Sequence, residues 1–523
     1  MSGRQEVTGS IPVNSTIFLS HPKPECRGLV LSGEVHCAVP VAGRGTGLPH
    51  NICIFEDKRF CNFYPLSLSQ PVFDLRIGSG SLRLRMQDAF SDAHIHLLCR
   101  EYLAPITRIK SPDAAVNEAP RAETVFINGR LLCLGDELRG ILDQLTEGAM
   151  AVKGGYVIAA RLQGESASQL AEYFLKRLSD EAIDAQCATL AEIAVDGKPR
   201  HGRNRNVHAQ TATEGDYEDA HLVGEDDVEE KLPVELSRLI RSHGIQMVEM
   251  HEARLLSFPW QLVECNTDVI RDDFERMPLR GPSEDSVIYP GVQIIGEENI
   301  FVGDGAVIKP GVVLDASEGP IVIGDRTKVM ASAVIVGPVS IGVDCTVRVG
   351  AKILEGTSTG NVCKVGGEVD STILGAYTNK QHDGFIGHSY LGEWINIGAA
   401  SNNSDLKNNY SQIRMWNAGA EKNTGRQFLG LIMGDHTKTG INTLFNTGTV
   451  VGFNCNVFSS EMPRKFVPSY SWGHGYELTP YDVDRAMQTA SVVLERRKVR
   501  FEDAHRKIFE RIAQMSVVAR RNI

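Results

Sequence analysis

Beyond residue 285 the chain repeats every six residues. Ile323, Val329, Ile335, Ile341, Val347 and Ile353 follow one another at that interval, and Met433, Thr439, Phe445, Val451 and Val457 do so again. Between these runs Phe385, Leu391 and Ile397 keep the step, each with a glycine within two residues (Gly387, Gly392, Gly398). A helix repeats about every 3.6 residues and a strand about every two, so a period of six belongs to neither alone. It suits a parallel β-helix, whose coil has three flat faces, each pointing one aliphatic side chain inward. Small residues turn the corners, and 50 glycines among 523 residues meet that need. The period predicts a β-helix over 281–475. The stretch "SNNSDLKNNYSQIRMW" (401–416) breaks it and is expected to leave the coil as a loop.

Stacked coils end in open sheet edges that need cover. "TPYD" (479–482) supplies Thr479 as an N-cap, Pro480 in the first turn and Asp482 three residues on. Val483, Met487, Ala490, Leu494, Phe501, Ala504, Ile508 and Ile512 then form a stripe at helical spacing, which predicts a capping helix within 476–523. Residues 49–280 read differently. "NICIF", "ETVFING" and "GYVIAARL" look like strands and "SASQLAEYFLKRLSDEA" (166–182) like a helix, so an α/β domain is expected there. Within it, 198–230 passes from basic to strongly acidic residues and reads as a surface insertion. Residues 1–48 are irregular, and "AGRGTGLP" (42–49) lacks the flanking strand and helix that a phosphate-cradling loop needs. "HIH" (94–96) reads as a strand face, and no protein-held metal site is read anywhere.

A chain of 523 residues is expected to hold two or three domains. Its net charge of −11 speaks against nucleic-acid binding, which needs a basic face. No run approaches the roughly 18 apolar residues of a membrane span, and no secretory leader is read. Eleven cysteines without a CxxC pair suit a reducing cytoplasm.

An α/β domain followed by hexapeptide coils resembles the sugar-1-phosphate nucleotidyltransferase superfamily, above all the bifunctional enzymes that make UDP-N-acetylglucosamine. The resemblance spans roughly residues 50–475 and implies a left-handed β-helix and a homotrimer. It also implies two activities. One is nucleotidyl transfer from a nucleoside triphosphate to a sugar 1-phosphate in the first domain, with Mg²⁺. The other is acetyl transfer from acetyl-CoA to an amino-sugar 1-phosphate in the β-helix.

In "NICIFEDKRFCNFYPLSLSQPVFDLRIG" Pro65, Leu66 and Ser67 match the family's Pro-Leu-Thr segment, but "EDKRFCN" replaces its glycine-rich loop. Without glycine the backbone cannot approach a triphosphate closely, so Lys58 and Arg59 are expected to hold phosphates by side chain. Where the family has Asn-Gly-Asp, whose carboxylate binds Mg²⁺, this chain has Asn128, Gly129 and Arg130. An arginine cannot bind a cation, and Arg130 is expected to face phosphate instead. Nucleotidyl transfer and nucleotide-sugar binding without turnover both stay open for this domain.

In "QHDGFIGHSYLGEWINIGAASNN" (381–403) the family's acetyl-transfer histidine matches His382 and its asparagine matches Asn396. The resemblance makes His382 the base that takes a proton from the substrate ammonium, with Asn396 orienting a sugar or carbonyl group. Phe385 stands where the family has tyrosine and Asp370 where it has lysine. Phosphate would then fall to Lys352 and to Lys380, Lys407 or Arg414. Asn402, Asn403, Lys407 and Tyr410 are read as sugar and phosphate binders on the loop, and His388 as a corner residue. His436, Thr439, Gly440 and Asn442 are read as the bed of acetyl-CoA. Three functions fit: an acyltransferase with a nucleotide-handling partner domain, a nucleotidyltransferase with a silent β-helix, and a non-catalytic sugar-nucleotide-binding protein.

Overall fold

The computed structural model describes residues 50–90, 93–186, 231–458, 461–475 and 477–520. The readings placed on 1–48 and on 198–230 lie outside the described residues. Among those described, no helix is long and apolar enough to cross a membrane.

The first domain is built on β1 (Asn51–Phe55), β2 (His94–Leu98), β3 (Ala115–Val116), β4 (Thr124–Asn128), β5 (Ala149–Lys153), β6 (Tyr156–Leu162) and β7 (Gln246–Glu249). They form one sheet in the order β7-β5-β6-β4-β1-β2-β3. β1 pairs in parallel with β2 and β4, while β6 runs antiparallel to both its neighbours. The uninterrupted apolar runs of β1 and β4 suit central strands covered on both faces, and Ile52, Ile54, Phe126 and Ile127 are fully buried. Helices α1 (Gly164–Arg177) and α2 (Pro259–Arg276) pack in this domain.

From Gly281 the chain winds through three parallel sheets as a left-handed β-helix. Where the coil is regular, partners in the first sheet step by eighteen residues, from Ile321 to Val339 to Thr357, which is three faces of six. The inward ladder follows the period: Ile323, Val329, Ile335, Val347, Ile353, Met433, Val451 and Val457 are fully buried. One phase differs. Ile386, opposite Val369, is the inward residue, and Phe385 stands partly exposed. The corner at His388–Ser389 is one residue short, so Leu391 follows Ile386 by five. The true six-residue step runs Leu374, Lys380, Ile386 and puts a lysine inside the coil.

An aromatic ladder climbs the corner between the first and second sheets. Tyr377 and Trp394 stack at 3.9 Å, and His436, Phe453 and Tyr470 continue upward. The C-terminal segment forms two helices, α3 (Val483–Glu495) and α4 (Asp503–Arg520). The N-cap of α3 is Asp482, which accepts from Arg485 N; Thr479 lies instead in a strand paired with Ser471–His474. The helices lie along the aromatic ladder, with Phe509 against His436 and Phe453 and Tyr470 Oη donating to Phe509 O at 2.7 Å. Their apolar stripe meets a surface of rings, and Arg511 reaches Asp184 of the first domain.

The two domains share a core. Asn266 of α2 accepts from Gly78 N and donates to Gly356 O of the coil, and Ser69 Oγ donates to Asp435 at 2.6 Å.

Candidate functional site

β1 runs into Glu56 and Asp57, and parallel β4 ends beside it on Asn128. Glu56 and Arg100 are both buried, and Glu56 accepts from Arg100 N, Nε and Nη2 and from Val72 N. Asp57 accepts from Arg59 N (3.0 Å), Asn128 Nδ2 (2.9 Å), and Arg130 Nε (2.9 Å) and Nη2 (2.6 Å). Burial works to raise the Asp57 pKa, but the Arg130 charge and these hydrogen bonds hold it below the usual carboxylate range. Arg130 is buried, and its remaining nitrogen donates to Leu256 O. It faces a carboxylate and a carbonyl, which corrects the expectation that it meets phosphate.

A carboxylate offers about four lone-pair positions. Glu56 and Asp57 have each filled that number with donors, so these residues do not fit the Mg²⁺ that the resemblance implies. Nor does any group of three or more His, Cys, Asp or Glu side chains suited to a metal ion occur among the described residues. Around this pair lie cations and rings. Lys58 Nζ is 5.6 Å and the Arg59 guanidinium 5.2 Å from the Tyr156 ring centre, Arg59 Nε donates to Tyr156 Oη at 2.6 Å, and Arg177 stacks on Tyr173 at 3.9 Å. Lys58, Tyr156, Tyr173 and Arg177 line a cleft of about 50 Å³.

A second centre lies on the corner between the second and third sheets. His382 is exposed there, and its main-chain carbonyl accepts from Lys380 Nζ, which also donates to Gly366 O at 2.9 Å. Lys380 stacks on inward Val365 and is 1% exposed, which corrects its reading as a phosphate ligand. Burial, partly offset by Asp383, lowers its pKa to about 8. Up the same corner Ala400 N donates to Asp383 O and Asn442 N to Ala399 O, so His382–Asp383, Ala399–Ala400 and Ile441–Asn442 form one column. Gly398 and Gly440 back it: a Cβ on Gly398 would lie 2.1 Å from Gly440 O. Thr439 points into the coil and accepts from Gly398 N. Asn396 is exposed on the outer face of the second sheet, bridging Asn379 and Lys438, and thus lies beside the corner and not on it. Lys352 is exposed and paired with Glu368 at 2.9 Å.

Other expected ligands are engaged elsewhere. His436 is buried on the aromatic ladder between Trp394, Phe453 and Phe509, and burial pushes its pKa well below the ordinary value. A face closed by α4 cannot receive CoA, which corrects that reading. Asn402 accepts from Phe385 N and donates to Ala400 O, and Asn403 accepts from Gly387 N and donates to Gly387 O and Ser404 O. Lys407 donates to Ser411 Oγ and Gln412 O. These three side chains hold turns, while Tyr410 presents an exposed ring. Beyond the loop, Arg426 pairs with Glu264 of α2 in the first domain at 2.6 Å.

The sequence reading passed over one arrangement. His388 Nδ1 lies 2.8 Å from Asp405 Oδ2, and its ring is 5.2 Å from Phe428. The two residues are seventeen apart, one coil at this point, so coil stacking and not local sequence joins them. Burial raises the pKa of nearby Asp370, against the opposing effect of its bond from Ser371.

A family profile described as sugar nucleotidyl transferase matches residues 52–201. The bifunctional protein GlmU of Synechococcus sp. (strain CC9311) is 26% identical over 210 residues, 39% of this chain and 41% of that protein. GlmU of Methanocaldococcus jannaschii is 32% identical over 108 residues, 21% of this chain and 25% of that protein. The chain thus spans less than half the length of these curated relatives. LpxA from Acinetobacter baumannii aligns over 45% of this chain and 96% of its own at 12% identity, with a TM-score of 0.19. The matched profile, the relatives and the hexapeptide coils agree: the chain is a divergent relative of the bifunctional GlmU proteins.

Proposed function

We propose that this chain is a transferase of sugar-nucleotide biosynthesis whose β-helix moves an acetyl group from acetyl-CoA to an amino-sugar 1-phosphate. The observation that carries the reading is the corner column in which exposed His382 lies below Ala399–Ala400 and Ile441–Asn442. Backed by Gly398 and Gly440, that column offers a pantetheine arm a smooth track toward a base. His382 would accept the proton of the substrate ammonium. The freed amine attacks the thioester carbonyl, the C–N bond forms as the C–S bond breaks, and the second nitrogen proton passes to the departing sulfur, so that CoA leaves as a thiol while the imidazolium holds the first proton.

Val349 and Ile441, 65% and 70% exposed, each follow by two residues the second-sheet strand of their coils, as His382 does. Such apolar side chains along one edge suit burial against a second copy, as in a homotrimer. A cytoplasmic setting suits acetyl-CoA and the described cysteines, which are free thiols. The first domain would hold the phosphorylated sugar or its nucleotide. The profile match over residues 52–201 favours a second reading, nucleotidyl transfer from a nucleoside triphosphate to a sugar 1-phosphate.

Glucosamine 1-phosphate and acetyl-CoA provide the test. Thiol release that falls about 100- to 10,000-fold in His382→Ala is the expected result. Equal release from both proteins refutes the role of His382. Pyrophosphate release from a sugar 1-phosphate and a nucleoside triphosphate, surviving that substitution, supports the second reading.

A further inference from the structure

Side chains of the second sheet alternate between the inside of the coil and its outer face, and the outward column is rich in hydrogen-bond donors. Thr346, Lys364, Asn379, Asn396, Lys438 and Asn456 are register partners in that order, on rungs about 4.8 Å apart. The segment that follows α3 reads "RRKVR" (496–500) and lies against this column. Arg497 Nη2 donates to Asn379 Oδ1 at 3.0 Å, which sets its guanidinium on the rung next to Lys364. Further along, Lys438 Nζ donates to His436 O, and Asn456 Nδ2 has no acceptor among the described residues.

In a chain of net charge −11, positive charge gathers here without a counterpart. Lys364 is half-buried; burial lowers its pKa, and the charges of Arg497, Arg348 and Arg496 lower it further. Among the described residues no carboxylate pairs with any of these four cations. Asp344 and Glu393, whose charges reach nearby Tyr377 as that of Arg497 does, are held by Arg326 and Lys110. The carbonyl end of α3 accounts for Arg496 and Arg497, since cations there complement the helix dipole. It does not account for Lys364 or for exposed Arg348, which both stand on the coil. An ammonium set among three guanidinium groups is unfavourable until an anion joins them.

We propose that this outer face of the second sheet binds the phosphoryl groups of a small molecule, with Lys364, Arg348, Arg496 and Arg497 sharing their charge. The planar fork of arginine matches phosphoryl oxygens, and a set of donors without carboxylates selects an oxyanion over a neutral ligand. Two sources carry this chemistry. One is CoA, whose diphosphate would reach the face from the corner column at the edge of the same sheet; the other is a free phosphorylated metabolite. The inference does not rest on His382 as a base, because it concerns charge on the face beside that column.

Calorimetric titration of the full chain with inorganic pyrophosphate and, separately, with CoA provides the test. The expected result is binding of at least one probe that weakens about tenfold in Lys364→Ala and in Arg497→Gln. Should either fail to fold, Arg496→Ala, whose side chain is exposed, keeps the comparison. Pyrophosphate displaced by CoA, with both weakened in the variants, identifies CoA as the source. Pyrophosphate weakened in the variants but not displaced by CoA identifies a separate metabolite. No heat from either probe, or affinities unchanged in every variant that folds, overturns the inference. Neither titration reads thiol release, so an acyl-transfer assay without product leaves the result intact.

Discussion

Lys380 is an ammonium inside a stack of aliphatic side chains, and replacing it with methionine should abolish a pH effect on stability. Its neighbours in the inward column of the second sheet are Val329, Val347, Val365 and Ile397. Against them it has two acceptors, Gly366 O and His382 O. Its pKa is lowered from 10.5 to about 8, burial being the cause and Asp383 a partial offset. That difference corresponds to about 3 kcal/mol of strain on the charged form in the folded chain. The sign follows from proton counts. Between about 8 and 10.5 the unfolded chain holds the Lys380 proton and the folded chain has released it, so stability rises with pH across this window.

Lys380→Met keeps the length of the side chain and removes the titration. At neutral pH its relief of about 3 kcal/mol is set against two carbonyls left without a donor, at about 1–3 kcal/mol each, so the net change there is small. Urea unfolding of both proteins from about pH 7 to pH 11 gives the comparison. The stability of wild type relative to the variant should climb by about 3 kcal/mol over that range. Other titrating groups are common to the two chains and cancel. Parallel stability curves would show the ammonium to be hydrated, and the reasoning would fail.

Asp435 accepts from Ser69 Oγ and Glu393 N at the domain junction, and its pKa is pushed up to about 7 by burial and by the Glu393 charge. A carboxyl raised in this way stabilises the fold at low pH and loses that contribution as pH rises through about 7. Asp435→Asn should therefore gain on wild type between pH 3.8 and about 7 in thermal melts. His436, held neutral by burial, leaves the unfolded chain to take up the proton below its ordinary 6.5, so wild type should weaken on acidification. His436→Phe should remove that loss and leave thiol release from acetyl-CoA unchanged; a raised KM for acetyl-CoA would contradict its placement under α4. Gly367 has φ +69° and its Cβ position lies 2.7 Å from Lys380 Nζ, so Gly367→Ala should lower the unfolding midpoint by about 1–3 kcal/mol in equivalent stability.

The sequence by itself determined the β-helix, because a coil with one inward side chain per face writes its period directly into the chain. Ile323 through Ile353 could be placed inside without any knowledge of their neighbours. It also identified the two places where the chemistry departs from its relatives, "EDKRFCN" and Arg130, since a missing glycine or carboxylate is visible as a letter. What Arg130 faces was not visible. That depends on Asp57, seventy-three residues away across paired strands, and two charges attract only when the sheet brings them together. Lys380 shows the same division. The sequence reading put Phe385 in the six-residue step where the coil has Ile386, and a lysine is read as surface until the coil closes around it. His436 fell under α4, and His388 met Asp405, through contacts between coils and between domains that no local spacing encodes. The period fixes which way a side chain points, while its partners are decided by which surfaces the folded chain brings against it.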